Sequence, residues 1–309
     1  MFESLTILFP VSGVKINILF PPILAMTVAF FTSMGGISGA FLLLPFQMSV
    51  LGYTAPSVSG TNHVYNVFSI PSGVYRYIRE GRMAWPLMWV VIAGTLPGVF
   101  LGYFIRVRYL TAPGTFKVFA GLVLAAIGLR LVWDAFHVRS GTKRGSLVTA
   151  SPEEAVVRTI RLSPTCISYT FWGETFSFNP VWMFLLALVV GIVGGAYGIG
   201  GGAIIAPLCV TFFRLPIYTV AGAALMGTCV TSVVGALFYT WVPAPTGLST
   251  APDWALGALF GLGGAVGMYC GARFQRYVPQ RLIKLVVAAV IVAVALGYIL
   301  PAVIPSRTS

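Results

Sequence analysis

Charge is what this chain has least of. Of its 309 residues, 8% are Asp, Glu, Lys or Arg and 58% are hydrophobic, whereas a soluble surface takes roughly 25% charged residues. That shortfall excludes a soluble globule and predicts an all-α integral membrane protein, multi-pass in the cell (cytoplasmic) membrane with the lipid bilayer as its solvent. Carboxylates are scarcer still, with Asp and Glu totalling 7, and the 2 histidines are His63 and His137. The 4 cysteines, Cys166, Cys209, Cys229 and Cys270, form no C-x-x-C pair. Metal sites, disulfide frameworks and resident cofactors therefore have nothing to build on. Phe2 and Glu3, with no basic stretch ahead of the first apolar run, predict no cleavable signal peptide.

Long uncharged runs are abundant. No formal charge occurs between Lys15 and Arg76, a stretch with room for about three crossings at roughly 20 residues each. The net charge of +12 comes from Lys and Arg in the short connections between such runs, where orientation in a membrane, not nucleic acid, explains them.

The chain repeats itself. Gly36, Ile37, Gly39, Pro45, Val58, Gly60, Gly73 and Tyr77 fall, at one constant offset, on Gly198, Ile199, Gly201, Pro207, Val220, Gly222, Gly235 and Tyr239. After a short insertion Trp85, Gly94, Gly98 and Gly102 fall on Trp254, Gly263, Gly267 and Gly271. The matches are mostly glycines, so the halves share backbone geometry and close helix contact. Three parts follow: a first membrane repeat at 1–137, a polar cytoplasmic linker at 138–178 with a small β-hairpin expected around Gly173-Glu174, and a second membrane repeat at 179–309. Each repeat reads as five helical segments, near 14–34, 38–51, 55–77, 84–105 and 114–136, then 180–197, 200–213, 217–241, 253–272 and 282–303. The second segment of each half is short and follows a Gly-rich break. An odd number of segments gives two inverted-topology repeats with both termini outside. Charge agrees: Arg76, Arg79, Arg82, the basic residues of the linker, Arg273, Arg276, Arg281 and Lys284 then share the cytoplasmic side, against Lys15, Arg106, Arg108, Lys117, Arg214 and Arg307.

The breaks are Gly36-Ile37-Ser38-Gly39 and Gly198-Ile199-Gly200-Gly201-Gly202. An interrupted helix at membrane depth must turn its freed backbone groups to protein, water or ligand. The helix that restarts there aims N–H groups and a positive dipole end at the gap, which suits an anion. Two such ends would build an anion site without a buried Lys or Arg. Packing is the plainer reading of single glycines, and it is the one that fits Gly98, Gly102, Gly267 and Gly271. The third segments add Thr61, Asn62, His63 and Asn66 in one half and Thr228, Thr231 and Ser232 in the other, as hydroxyl and amide donors facing the same site. Bonding of Ser and Thr back to their own helix is the alternative. His63 is a proton-coupling candidate, although the repeat places Leu225 opposite it.

The repeated Gly-x-x-Gly-x5-Pro pattern, Gly36 to Pro45 and Gly198 to Pro207, resembles the TauE/SafE family of sulfite and organosulfonate transporters, also called the toluene-sulfonate uptake permease family. The likeness spans nearly the whole chain and is strongest from Gly198 through Pro207 to Tyr239. Ser38 and Ala40 stand where the second half has Gly200 and Gly202, and the linker is longer than the family typically shows. The resemblance implies secondary transport by alternating access, moving a small sulfur-containing anion such as sulfite, a sulfonate or thiosulfate, coupled to an H+ or Na+ gradient. A passive anion channel is the alternative. Gly36-Ile37-Ser38-Gly39 also has the G-x-S-G form of an intramembrane serine protease, with His63 as its base, but Gly200 at the equivalent of Ser38 argues for a small residue, not a nucleophile.

Overall fold

The computed structural model describes residues 5–34, 37–137, 156–244, 249–274 and 280–303. Helices dominate. The first half holds α1 (Phe20–Met34), α2 (Ala40–Ser49), α3 (Ser57–Arg79), α4 (Trp85–Arg108) and α5 (Pro113–His137). The second holds α6 (Pro180–Tyr197), α7 (Gly202–Phe212), α8 (Ile217–Trp241), α9 (Trp254–Phe274) and α10 (Gln280–Val303). Five of them, α4, α5, α6, α8 and α9, contain stretches long and apolar enough to cross a membrane.

The chain corrects the first segment. Residues 14–19 are not helical, because β1 (Thr6–Leu8) and β2 (Lys15–Asn17) pair antiparallel, Thr6 opposite Asn17. Gly13 turns the chain at φ 69°, and the Phe9 N–H meets the Val14 carbonyl at 2.9 Å. The linker carries β3 (Arg158–Leu162), β4 (Ile167–Phe171) and β5 (Glu174–Phe178) as one antiparallel sheet. Trp172 and Gly173 connect β4 to β5 with φ 54° and 72°, the double positive φ of a two-residue hairpin turn. One face of β4, formed by Ile167, Tyr169 and Phe171, is buried. Tyr169 shares a hydrogen bond with Thr219 (2.9 Å), Trp172 packs on Tyr218 with ring centroids 5.3 Å apart, and the Val157 N–H reaches the Gly81 carbonyl at 3.0 Å. The sheet therefore covers the end of the bundle where α3 finishes and α8 starts. Arg214, just before α8, belongs to this end too, so the expected assignment of Arg214 to the sparsely basic side is wrong. Glu80 lies here between Arg76 and Arg82; partial burial pushes its carboxyl up, but the two arginines prevail and hold it below the usual range.

Glycine contacts give the helix directions. Gly94 lies against Phe184 and Ala187, Gly98 against Leu188 and Gly191, and Gly102 against Ile192 and Ala196, so α4 and α6 run parallel. Gly263, Gly267 and Gly271 step along Pro22, Met26 and Phe30, so α9 and α1 do the same. Helix α3 is parallel to α9, with Gly257 at Thr61 and Gly264 at Ser69. By contrast α3 is antiparallel to α8, from Gly60 at Tyr239 to Gly222 at Tyr77, and α5 to α10, from Gly121 at Ile299 to Gly128 at Val292. Because α1 and α3 run the same way, α2 carries the chain back between them. With 10 and 11 residues, α2 and α7 are about 15 and 17 Å long, half of a ~30 Å hydrocarbon core. Each half thus has the expected five helices, arranged as an in-and-back pair, α1–α2 or α6–α7, followed by three longer helices.

Exposed aromatics mark both rims. Trp85, Trp89 and Trp182 stand near the sheet end, and Tyr109, Trp241 and Trp254 at the opposite, β1–β2 hairpin end. Helix α4 separates the two groups by about 36 Å, which suits interfacial belts on either side of a bilayer.

At Gly98 an added Cβ would sit 2.8 Å from the Gly191 Cα. Gly98→Val should therefore force α4 from α6 and remove the folded, monodisperse species in gel filtration. Gly114→Ala, where nothing lies within 4 Å, should leave it intact. Equal yields of the two would show that this backbone contact does not hold the halves together.

Candidate functional site

Both helices break where the glycines cluster. After Tyr197, Gly198 adopts φ 90° and donates its N–H to the Gly194 carbonyl at 2.8 Å; Gly200 follows at φ 72°, and Gly201 caps α7. A side chain at Gly198 would meet the Ser59 backbone, and one at Gly200 would meet Thr228 Cγ2 and Ser232 Oγ at 2.8 Å, so conformation and space both demand glycine. In the first half the Ile37 N–H returns to the Thr32 carbonyl at 3.2 Å and Gly39 caps α2. Gly36 lies outside the described residues. Neither cap, Gly39 nor Gly201, has a side chain to offer the first-turn N–H groups; in α2 the Leu42 and Leu43 N–H groups both turn to the Gly39 carbonyl at 3.1 Å.

Asn66 joins the two breaks. Its Oδ1 accepts the Ser38 hydroxyl at 2.6 Å, while its Nδ2 donates to the Ile199 carbonyl at 2.9 Å and to Ser232 Oγ at 3.2 Å. The same Ser38 oxygen accepts the Ala40 N–H at 3.3 Å. One turn earlier on α3, Asn62 Nδ2 donates to the Ala40 carbonyl at 2.9 Å, and its Oδ1 is buried without a partner. Tyr197 donates across to the Phe41 carbonyl at 2.9 Å. Gly202 abuts Thr228, so α3 and α8 clasp both helix starts.

Several expected donors are used elsewhere. Thr228 and Thr231 give their hydroxyl protons to the Ala224 and Gly227 carbonyls at 2.9 and 2.7 Å, the back-bonding that hydroxyls favour inside helices. They can still accept. Thr61 belongs to the junction with α9: it donates to the Ser57 carbonyl at 3.0 Å and accepts the Asp253 N–H at 2.9 Å. His63 is buried with its ring on Gly235 and 5.9 Å from the Tyr239 ring. Neither ring nitrogen has a partner within hydrogen-bond geometry; the Gly195 backbone is the group it faces. Ser38 is bonded to Asn66 and not to His63, so these two residues form no serine–histidine pair.

The arrangement is tightly closed. Beside the first break Ser33, Ile37, Gly73, Tyr77, Leu225, Met268 and Ala272 enclose about 10 Å³, at most one water position and too little for a polyatomic anion.

Sequence reasoning missed Arg106. It stood among the loop charges that set orientation, and the site was expected to lack a buried Lys or Arg; the structure buries Arg106 completely. Its Nε donates to Ser59 Oγ at 3.2 Å, its Nη1 bonds the Leu110 carbonyl, and its guanidinium carbon lies 3.7 Å from the Phe116 ring centroid. Its Nη2 has no partner, a condition that costs upwards of about 1–3 kcal/mol for a buried charged donor. Its place in the last turn of an apolar helix gave no signal of burial, since basic residues there ordinarily reach the interface.

Comparison with known families matches residues 22–298 to sulfite exporter TauE/SafE. The chain belongs to this family. Two of its relatives are "Probable membrane transporter protein YunE" of Bacillus subtilis (strain 168), 22% identical over 271 residues, covering 85% of this chain and 90% of the relative, and a "Probable membrane transporter protein" of Xylella fastidiosa (strain 9a5c), 23% identical over 275 residues, covering 87% and 90%. No solved structure matches the chain. TauE/SafE proteins and these relatives are membrane transporters, so the chain is a multi-pass transporter and not an enzyme.

Proposed function

We propose that this TauE/SafE protein is a secondary transporter in the cell membrane for a small sulfur-containing anion of the sulfite, sulfonate or thiosulfate class. The observation that carries this reading is the Asn66 bridge, which brings the starts of α2 and α7 to within one side chain of each other. An oxyanion there would take N–H groups from both helix starts, together with the amides of Asn62 and Asn66, and the two positive dipole ends would offset its charge. To bind it, Asn66 gives up the Ile199 carbonyl and turns its NH₂ to the ligand.

An inverted repeat fits the helix directions. The equivalent pairs α3/α8 and α5/α10 are antiparallel, while α1 lies on α9 as α6 lies on α4. Such symmetry supplies two exchangeable gates around one midplane site, and the closed packing corresponds to an occluded stage of alternating access. The sheet end is assigned to the cytoplasm, since Arg76, Arg79, Arg82 and Arg214 gather there. The driving gradient is H+ or Na+, with His63, buried between α3 and α8 near the second break, as the proton carrier.

Purified protein in liposomes preloaded with unlabelled sulfite is expected to take up labelled sulfite by saturable counterflow. Flux that rises linearly with concentration and shows no counterflow would establish a passive anion channel instead.

A further inference from the structure

The surroundings of the second break differ from those of the first. The cavity beside the first break is walled by Ile37, Gly73, Tyr77 and Leu225. The repeat carries these positions onto Ile199, Gly235, Tyr239 and His63, so the one change is a histidine in place of Leu225. His63 rests on Gly235, Tyr239 donates to the Gly195 carbonyl at 3.3 Å, and Arg106 is within electrostatic reach of the Tyr239 hydroxyl. Ser59, the partner of Arg106 Nε, touches the break itself: its hydroxyl donates to the Ala196 carbonyl at 3.3 Å, and its backbone lies against Gly198.

Among the described residues no carboxylate forms an ion pair with this cation. Asp253, at the same end of the bundle, caps α9 through the Leu256 N–H (3.0 Å) and holds the Ser12 hydroxyl (2.8 Å). The ion pairs seen among the described residues both involve Glu80, at the opposite end. An ionisable side chain kept inside a membrane bundle without a counter-ion calls for one. A guanidinium is weakly hydrated and offers a flat fork of donors that matches an oxyanion. One turn before Arg106 on α4, Tyr103 packs edge to face on Tyr239 with ring centroids 4.9 Å apart, and the Tyr103 hydroxyl is tied to the Val242 carbonyl.

We infer that Arg106 is the anion-recruiting residue of the hairpin-end half of the path, its free Nη2 taking the oxyanion before the ligand reaches Asn66. This rests on the proposed transport of an oxyanion. A purely structural Arg106 would only close the end of α4 through the Leu110 carbonyl and pack on Phe116.

The test is counterflow by Arg106→Gln and Arg106→Lys with sulfite, thiosulfate, taurine and phosphate. Loss of one charge-assisted hydrogen bond should raise the apparent KM of the Gln variant about tenfold or more, with a smaller rise for Lys and a lesser effect on maximal rate. Wild-type KM in both variants overturns the assignment while leaving sulfur-anion transport standing. If the wild-type chain carries phosphate and none of the sulfur anions, yet with a KM that depends on Arg106, the substrate class falls and the recruiting role stands. Should the variants not fold, modification of wild-type Arg106 by phenylglyoxal, read by mass spectrometry of its peptide, is expected to slow in sulfite and not in chloride; equal rates overturn the assignment.

Discussion

Asn66→Leu is expected to abolish counterflow and to lower the melting temperature of the purified protein. Leucine keeps the volume but strips the bridge, leaving the Ile199 carbonyl and the Ser38 and Ser232 hydroxyls without the partner they now share. Each buried polar group so abandoned costs about 1–3 kcal/mol, against a total fold stability of about 5–15 kcal/mol. Asn66→Asp separates binding from folding: it keeps an acceptor for Ser38, loses both donations, and sets a carboxylate where the anion is to sit. Transport should vanish with a smaller thermal loss. Ser38→Gly, which copies Gly200 of the other half, removes the hydrogen bonds to Asn66 and from the Ala40 N–H but leaves both Asn66 donations in place, and should retain most of the activity. Wild-type rates in Asn66→Leu would mean that the bridge plays no part in transport.

The second large effect is expected at Gly202. A methyl group there would overlap the Ala224 carbonyl and Thr228 Oγ1, which belong to α8 and have nowhere to retreat inside a close-packed interior. Gly202→Ala must lift α7 from α8 and draw Ile199 away from Asn66. Overpacking of this kind costs about 1–3 kcal/mol or more, and because the displacement falls on the break, the loss of transport should exceed the loss of stability. Counterflow normalised to folded protein measures this directly; normal flux would show that α7 docks loosely on α8.

The repeat, the helical segments and the position of each break were legible in the sequence because glycine spacing and hydrophobic runs are local signals. Ser38, Asn62 and Asn66 could be named as polar groups at membrane depth, but their pairing across the halves depends on how α3 threads between the breaks, which no local pattern encodes. The Thr228 and Thr231 hydroxyls looked like free donors, yet the carbonyl one turn back captured both, a competition that composition does not weigh. Residues 14–19 read as the start of the first helix because they run into an apolar stretch; the turn at Gly13 and the anchoring of Ser12 by Asp253 place Lys15–Asn17 in a hairpin instead. Arg106 was hidden by its place near a helix end, where a long basic side chain ordinarily snorkels to the interface. Only the tertiary packing of Ser59 and Phe116 turns it inward.

Selenite, the heavier homologue of sulfite, gives the most direct test of an anion held between the breaks. Anomalous scattering from crystals of the wild-type chain grown with selenite is expected to place selenium within hydrogen-bond reach of Asn66 and of the first turns of α2 and α7. Selenium located away from both helix starts, in protein that still transports sulfite, would contradict the site.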